Sequence, residues 1–152
     1  MRHSKACMAA VTTLMLSASA AIAANVHNCE DYTSNARSLA EPWEKNTRTF
    51  VNGSVRIALI DTGGEPACCS THLLVLAEDK SDETGGRMCR VISDRTNIGY
   101  EWIDFSKIIA NYNPSRGLQL AVPVNYYIDG VRHRSGMLRV SVNLQKGVIA
   151  AH

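Results

Sequence analysis

Apolar and polar residues alternate most regularly near the C-terminal end of the chain. In segment 117–128, GLQLAVPVNYYI, the even positions form one apolar row, and the even positions from Leu138 to Leu144 form another. A period of two is typical of strands that bury one face. The pattern therefore predicts two long antiparallel strands, at 117–128 and 134–144.

The connection between these strands has a predictable phase. Asp129-Gly130 favours a two-residue turn, but that turn sets Val124 opposite Ser135 and inverts the core face of the second strand. We therefore predict a bulge, or a longer connection through Gly130 to Gly136, that restores the phase. Pro123 further predicts that one side of its strand is not hydrogen-bonded at that point.

The clearest short-range signal in the N-terminal half is a hairpin at Asn52-Gly53, between TRTFV and SVRIALID. This turn sets Phe50 opposite Val55. A strand at 70–77 follows, and it is apolar on both faces, which indicates burial on both sides. His72 in that strand is interpreted as a hydrogen-bonded structural histidine.

Further strands are predicted at 87–93 and 148–150, while 94–116 is the least regular segment and is compatible with one more strand at 106–112. Helical spacing in TSNARSLAEPW predicts one short helix that is capped by Thr33 or Ser34 and ends before Pro42. The predicted fold is mainly β: a single antiparallel β-sandwich or partly closed barrel of six to seven strands with one short N-terminal helix.

The first residues predict export. A charged start, an apolar run of small residues and the Ala21-Ile22-Ala23 site indicate a cleaved signal peptide at 1–23. Residues 24–152 then form a single disulfide-stabilised β domain. The alanine-rich leader is typical of bacteria, so the periplasm is the first expected location and secretion the second.

Charge limits the partners. The full chain has 16 basic and 14 acidic residues, and removing the leader takes away Arg2 and Lys5 and no acid. A domain without net charge lacks the global footprint of a nucleic-acid or membrane-surface binder. We expect no nucleic-acid partner and no membrane insertion after signal removal.

Four cysteines remain after the leader: Cys29, Cys68, Cys69 and Cys89. An even number in an oxidising compartment predicts two disulfides. A bond between the adjacent residues would close the smallest ring, so we expect one of Cys68 and Cys69 to join Cys29 and the other Cys89, with the assignment open.

A thiol nucleophile near His72 and a soft metal site are the competing interpretations of these cysteines. Both need a reduced sulfur, and the spacing of structural zinc sites is absent. We expect neither a metal nor a cofactor.

The usual catalytic motifs are absent from the sequence. Aromatic residues concentrate in the least regular segment, and exposed aromatics on a loop are a common way to bind sugar, peptide or protein. The candidate binding residues are Tyr100, Trp102 and Tyr112. The basic run 132–134 could hold an anion, but the preferred interpretation is a solvated hairpin tip.

These observations favour a non-enzymatic binding module for an envelope or secreted macromolecule, of the inhibitor, immunity or assembly-accessory type, with a protein or saccharide ligand. One alternative is a secreted enzyme whose site assembles from distant residues, which requires His72 or His133 near an acid and a hydroxyl in a deep pocket. The other is a redox or metal-binding protein that uses the cysteines.

Overall fold

A computed structural model describes residues 24–63, 68–94, 98–128 and 131–152. The predicted leader, 1–23, lies outside this part of the chain. The described residues form ten strands: β1 (Ala24–Asn28), β2 (Thr47–Phe50), β3 (Val55–Asp61), β4 (Thr71–Glu78), β5 (Arg87–Asp94), β6 (Trp102–Ile103), β7 (Ile109–Asn113), β8 (Gly117–Ile128), β9 (Arg132–Asn143) and β10 (Val148–Ala151).

The strands form two antiparallel five-stranded sheets that pack as a sandwich. The first has the order β1-β5-β4-β3-β2, and the second has the order β10-β9-β8-β6, with β7 also paired to β8. The mainly β class is confirmed, but the strand count of six to seven was too low and the sheets are not closed into a barrel. The additional strands include β1, next to the predicted leader, and the two-residue β6, which is too short to show a period.

The main core lies between the two sheets. The even residues at 118–126 of β8 and at 138–142 of β9 face inward as the alternation predicts, and they meet Val55, Ile57, Leu73 and Val75 of the first sheet. Phe50 pairs with Val55, as the Asn52-Gly53 turn predicts.

The β8–β9 hairpin keeps even positions opposite even positions throughout, from Leu118 opposite Val142 to Ile128 opposite Arg132. Residues 129–131 are the connection, one residue longer than the simplest turn. The restored phase is confirmed, but neither a bulge nor a connection that extends to Gly136 is used. Asp129 and Gly130 themselves lie outside the described residues.

Pro123 lies where the partner on one side of β8 changes. The Asp104 amide donates to its carbonyl over 2.9 Å, just past the end of β6, while pairing with β7 begins at Ala121. Since the N–H and C=O of one strand residue point to the same side, the missing N–H of proline faces the gap between two partner strands.

The first sheet has a second apolar layer on its outer face. We call this surface the covered face: Ala58, Ile60, Leu74 and Val91. Leu39 and the Cys29–Cys89 pair pack on it, so the segment after β1 forms a lid over the sheet. The prediction that β4 is buried on both sides is confirmed.

The disulfide prediction was wrong in its pairing. Cys29 bonds Cys89, with their Cα atoms 5.5 Å apart, because β1 pairs with β5 and brings Asn28 opposite Arg90. Cys68 is paired with Cys69. The prediction assumed extended chain at the adjacent cysteines, whereas Cys69 has φ +82° and turns the backbone there.

The predicted helix before Pro42 is also absent. Two single 3-10 turns, Tyr32–Ser34 and Ala36–Ser38, stand in its place, and the short α-helix (Trp43–Asn46) begins after the proline. The side chains of Asp31 and Asn35 accept hydrogen bonds from the amides two residues later. These local bonds compete with helix formation. No helix in the described ranges is long and apolar enough to cross a membrane.

Candidate ligand-binding face

The three aromatic candidates do not form one surface. Tyr100 is 0% exposed, its hydroxyl donates to the Ser93 carbonyl over 3.1 Å, and its amide donates to the Thr71 carbonyl over 2.7 Å. Burial, and then the nearby charge of Asp94, raises the pKa of this phenol. Tyr100 therefore belongs to the core, where it joins β4 to β5, and its side chain is not on the exposed surface.

Trp102 and Tyr112 are exposed, at 51% and 59%. Trp102 lies opposite Asn125, and Tyr112 lies opposite Leu118. Seven residues of β8 separate the two positions, which is more than about 20 Å. The two side chains cannot contact one small ligand together.

His72 is the predicted structural histidine. It is buried, and its Nδ1 lies 2.8 Å from the Ser93 hydroxyl. Desolvation lowers its pKa to about 4, and the charge of His27 acts in the same direction, while Asp31 and Asp61 oppose it. Because Ser93 is itself fully buried, this pair cannot reach a substrate.

His133 meets an acid at the surface. Its Nδ1 lies 2.8 Å from the Glu101 carboxylate, and its ring centroid is 4.3 Å from that of Tyr127. The pair is at the surface, at the end of the β8–β9 hairpin where Ile128 lies opposite Arg132. Neither histidine therefore meets the deep-pocket condition that the enzyme hypothesis set.

The cysteine hypothesis finds no ligand set in the described part of the chain, where no three histidine, cysteine or acidic side chains are placed to hold a metal ion. Cys68 and Cys69 are half-buried, on the segment that enters β4. His72, two residues into that strand, is bonded to Ser93.

The outer surface of the second sheet differs from all these places. We call it the open face: the outward residues of β8 and β9 with those of the strands beside them. The odd positions of β8 and β9 from Gln119 onward point outward and are half-buried or exposed, in contrast to the buried even positions at 118–126 and 138–142. Ile109 and Val148 on the flanking strands are 66% and 47% exposed, so this face has no lid.

At one end of the open face lies a groove of about 630 Å³. We call it the cationic groove, and its charged side chains are Arg116, Arg139 and Lys146. No aspartate or glutamate is among the described residues that line it. The ion pairs observed in the described chain involve other residues.

The polar side chains of the groove come from neighbouring strands. Asn111, Gln119 and Ser141 lie side by side across β7, β8 and β9. Asn143 uses its oxygen to accept from the Lys146 amide over 3.1 Å, which leaves its NH₂ free to donate outward. The site therefore offers amide and hydroxyl groups between three cations.

Short side chains create the depression. Ala121 and Ser141 are on the central strands of this part of the sheet, while longer side chains surround them. Gly117 starts β8 with φ +83°, and a Cβ there would lie 2.2 Å from the Val142 carbonyl. Glycine is therefore required for β9 to approach β8 next to Arg116.

Sequence analysis missed this groove, although its signal is visible in retrospect. The outward odd positions of 117–128 and 137–144 carry no acid, and they include Gln119, Arg139, Ser141 and Asn143. Strand pairing is needed to bring Arg116 and Lys146 beside them. A sum over the whole domain conceals a local cluster of cations.

Comparison with known proteins gives no match. No family model, no curated protein and no solved structure matches this sequence.

Proposed function

We propose that this protein is an exported, non-enzymatic binding module that attaches to an envelope or secreted macromolecule through the open face of its second sheet. The observation that supports this most is the contrast in groups available to a ligand. His72 is buried with its partner, and His133 is exposed at the end of a hairpin. The cationic groove instead presents cations and amides in a concave site.

The groove suits binding better than catalysis. A general acid or base must be positioned beside a reacting group. His152 lines the groove, but no aspartate or glutamate is among the described groove residues to orient it. Arginine side chains that have no ion-pair partner in the described chain are instead free to form charge-assisted hydrogen bonds with a ligand.

A blocked groove tests the proposal. Ser141→Trp fills the depression without changing charge, and Thr49→Trp, on the exposed side of β2, is the matched control. The measurement is the fraction of purified protein that co-sediments with isolated envelopes or binds secreted material of the producing cells.

We expect the wild type and Thr49→Trp to bind and Ser141→Trp to lose binding, with all three melting at similar temperatures. Equal binding by both tryptophan variants would refute the groove as the site. Absence of binding by the wild type would refute the binding module itself.

A further inference from the structure

We infer that the ligand of the open face is an acidic oligosaccharide, a chain of uronate-type sugars that lies along β8 and β9 from the cationic groove towards Trp102. This inference rests on the proposed function and specifies its ligand class. It joins the groove to an exposed aromatic ring on the same side of the same sheet.

Charge gives the first step. Arg116, Arg139 and Lys146 come from a turn, a strand and a second turn, so the positive charge is spread around the groove instead of focused on one point. A single small anion would need converging cations. Spread cations fit a ligand that repeats its negative charge, and arginine pairs with planar carboxylates through two parallel hydrogen bonds.

The neutral polar groups give the second step. Asn111 and Ser141 have no side-chain hydrogen-bond partner in the described chain, and Asn143 retains its NH₂. Amides and hydroxyls both donate and accept. They match the hydroxyl groups of sugars better than a phosphodiester backbone, which only accepts.

The direction of the ligand follows from its two ends. At the turn beyond Lys146, the Asp79 carboxylate lies so close that a Cβ on Gly147 would be 2.6 Å from it. This acid begins the segment that also holds Asp82 and Glu83. An anionic chain is repelled there. At the other end the Glu101 carboxylate lies 2.8 Å from the His133 ring, which partners it, so the ligand extends that way, along β8.

Trp102 marks the other end. It pairs with Asn125, so its side chain is on the outward side of the sheet, while Ile103 beside it is buried. Six residues of β8 separate Gln119 from Asn125, about 20 Å. An oligosaccharide of several rings covers that distance and can place an apolar sugar face on the indole.

Single-stranded nucleic acid is the competing polyanion. It is bound through a series of stacking platforms along a positive groove, but no phenylalanine, tyrosine or tryptophan is among the described residues that line the cationic groove, where His152 gives a single imidazole. The single exposed indole lies beyond it. The observations therefore favour the acidic saccharide.

The test measures the affinity of the purified protein for oligogalacturonates by calorimetry, with the methyl-esterified neutral form, inorganic polyphosphate and single-stranded DNA as comparison probes. The groove variant carries Arg116→Glu and Lys146→Glu. Its control carries Arg37→Glu and Lys45→Glu, the same charge change at exposed positions near the lid.

We expect the long oligogalacturonate to bind the wild type and the control equally, and the groove variant at least about tenfold more weakly. Trp102→Ala should weaken the binding of an oligogalacturonate that is long enough to reach from the groove to the indole, about 20 Å. It should leave the binding of an oligomer confined to the groove unchanged. Binding should also weaken as ionic strength rises.

Equal affinity for the neutral ester, or stronger binding of polyphosphate or DNA, would overturn the saccharide assignment. If no probe binds but envelope attachment still depends on Ser141, the ligand class is wrong and the binding module stands. If neither depends on the groove, both proposals fail.

Discussion

One outer face of this sandwich is covered by the chain itself, and the other is exposed to solvent. On the first sheet, Ala58, Ile60, Leu74 and Val91 are buried by a lid that the Cys29–Cys89 bond holds in place. On the second, the corresponding surface is polar, cationic at one end and open. The comparison teaches that a fold of two sheets can bury the outer face of one sheet as well as the core between them, and leave the outer face of the other sheet in contact with solvent.

Covering one face also changes what its polar residues can do. His27 and Thr33 lie beneath or beside the lid, with Nε2 and the hydroxyl 3.4 Å apart, and His72 lies on the same face of the sheet. On the open face, polar groups keep contact with water. Polar side chains are thus enclosed on one side of the molecule and remain accessible on the other.

The largest expected effect is on the covered face, when the disulfide that holds the lid is removed. Cys29→Ala with Cys89→Ala opens a loop of 60 residues, and we expect the free energy of unfolding to fall by about 4 kcal/mol. Chemical denaturation measures this, and a hydrophobic dye should bind the exposed covered face. The control is Cys68→Ala with Cys69→Ala, which removes a bond between adjacent residues that encloses almost no loop. An equal loss of stability in that control would contradict the explanation.

Acid should loosen the covered face through His72. Its pKa of about 4 is below the ordinary 6.5, so the unfolded chain takes up a proton first as the pH falls. Stability is therefore lost progressively from about pH 6.5 to about pH 4, by on the order of 3 kcal/mol in total.

Denaturation curves across this range should show a smaller loss for His72→Gln than for the wild type. His133→Gln, at the exposed hairpin, should follow the wild type. Parallel pH profiles of all three proteins would show that His72 is not the responsible group. Burial opposes the charge of Asp31, but its hydrogen bonds with Thr33 and the charges of His27 and His72 lower its pKa overall, so the His72→Gln profile also includes a change at Asp31.

The smallest expected effect comes from the same isoleucine-to-valine substitution made on each of the two outer faces. Ile60→Val removes a methylene from the covered face and should cost about 1 kcal/mol. Ile109→Val makes the same change on the open face, where the side chain is 66% exposed, and should stay within about 0.5 kcal/mol. Equal losses in thermal denaturation would mean that the open face is buried in solution.

Periodicity predicted the elements that carry their own pattern. The phase of β8 and β9, the pairing of Phe50 with Val55 and the burial of β4 follow from the pattern of apolar residues and turns in a short stretch of chain. Two features that this pattern did not predict depend on contacts between distant segments. The Cys29–Cys89 bond needs β1 beside β5, and the burial of Tyr100 needs β4 and β5 beside it.

The candidate site illustrates the same limit in electrostatic terms. Residues 24–152 have balanced charge, which predicted that the domain lacks the global footprint of a nucleic-acid or membrane-surface binder. Pairing of β8 with β9 and the two turns nevertheless collects Arg116, Arg139 and Lys146 in one groove. Net charge predicts behaviour over a whole surface, whereas recognition depends on where the charges lie.

The open sheets have a consequence for crowding. Because neither sheet closes, each keeps two borders, and those borders are formed by β1, β2, β10 and the β6–β7 side. These strands have two to five residues, while β8 and β9 in the interior have twelve each. Short borders give a neighbouring copy little backbone to pair with, which disfavours growth into fibres by edge-to-edge pairing.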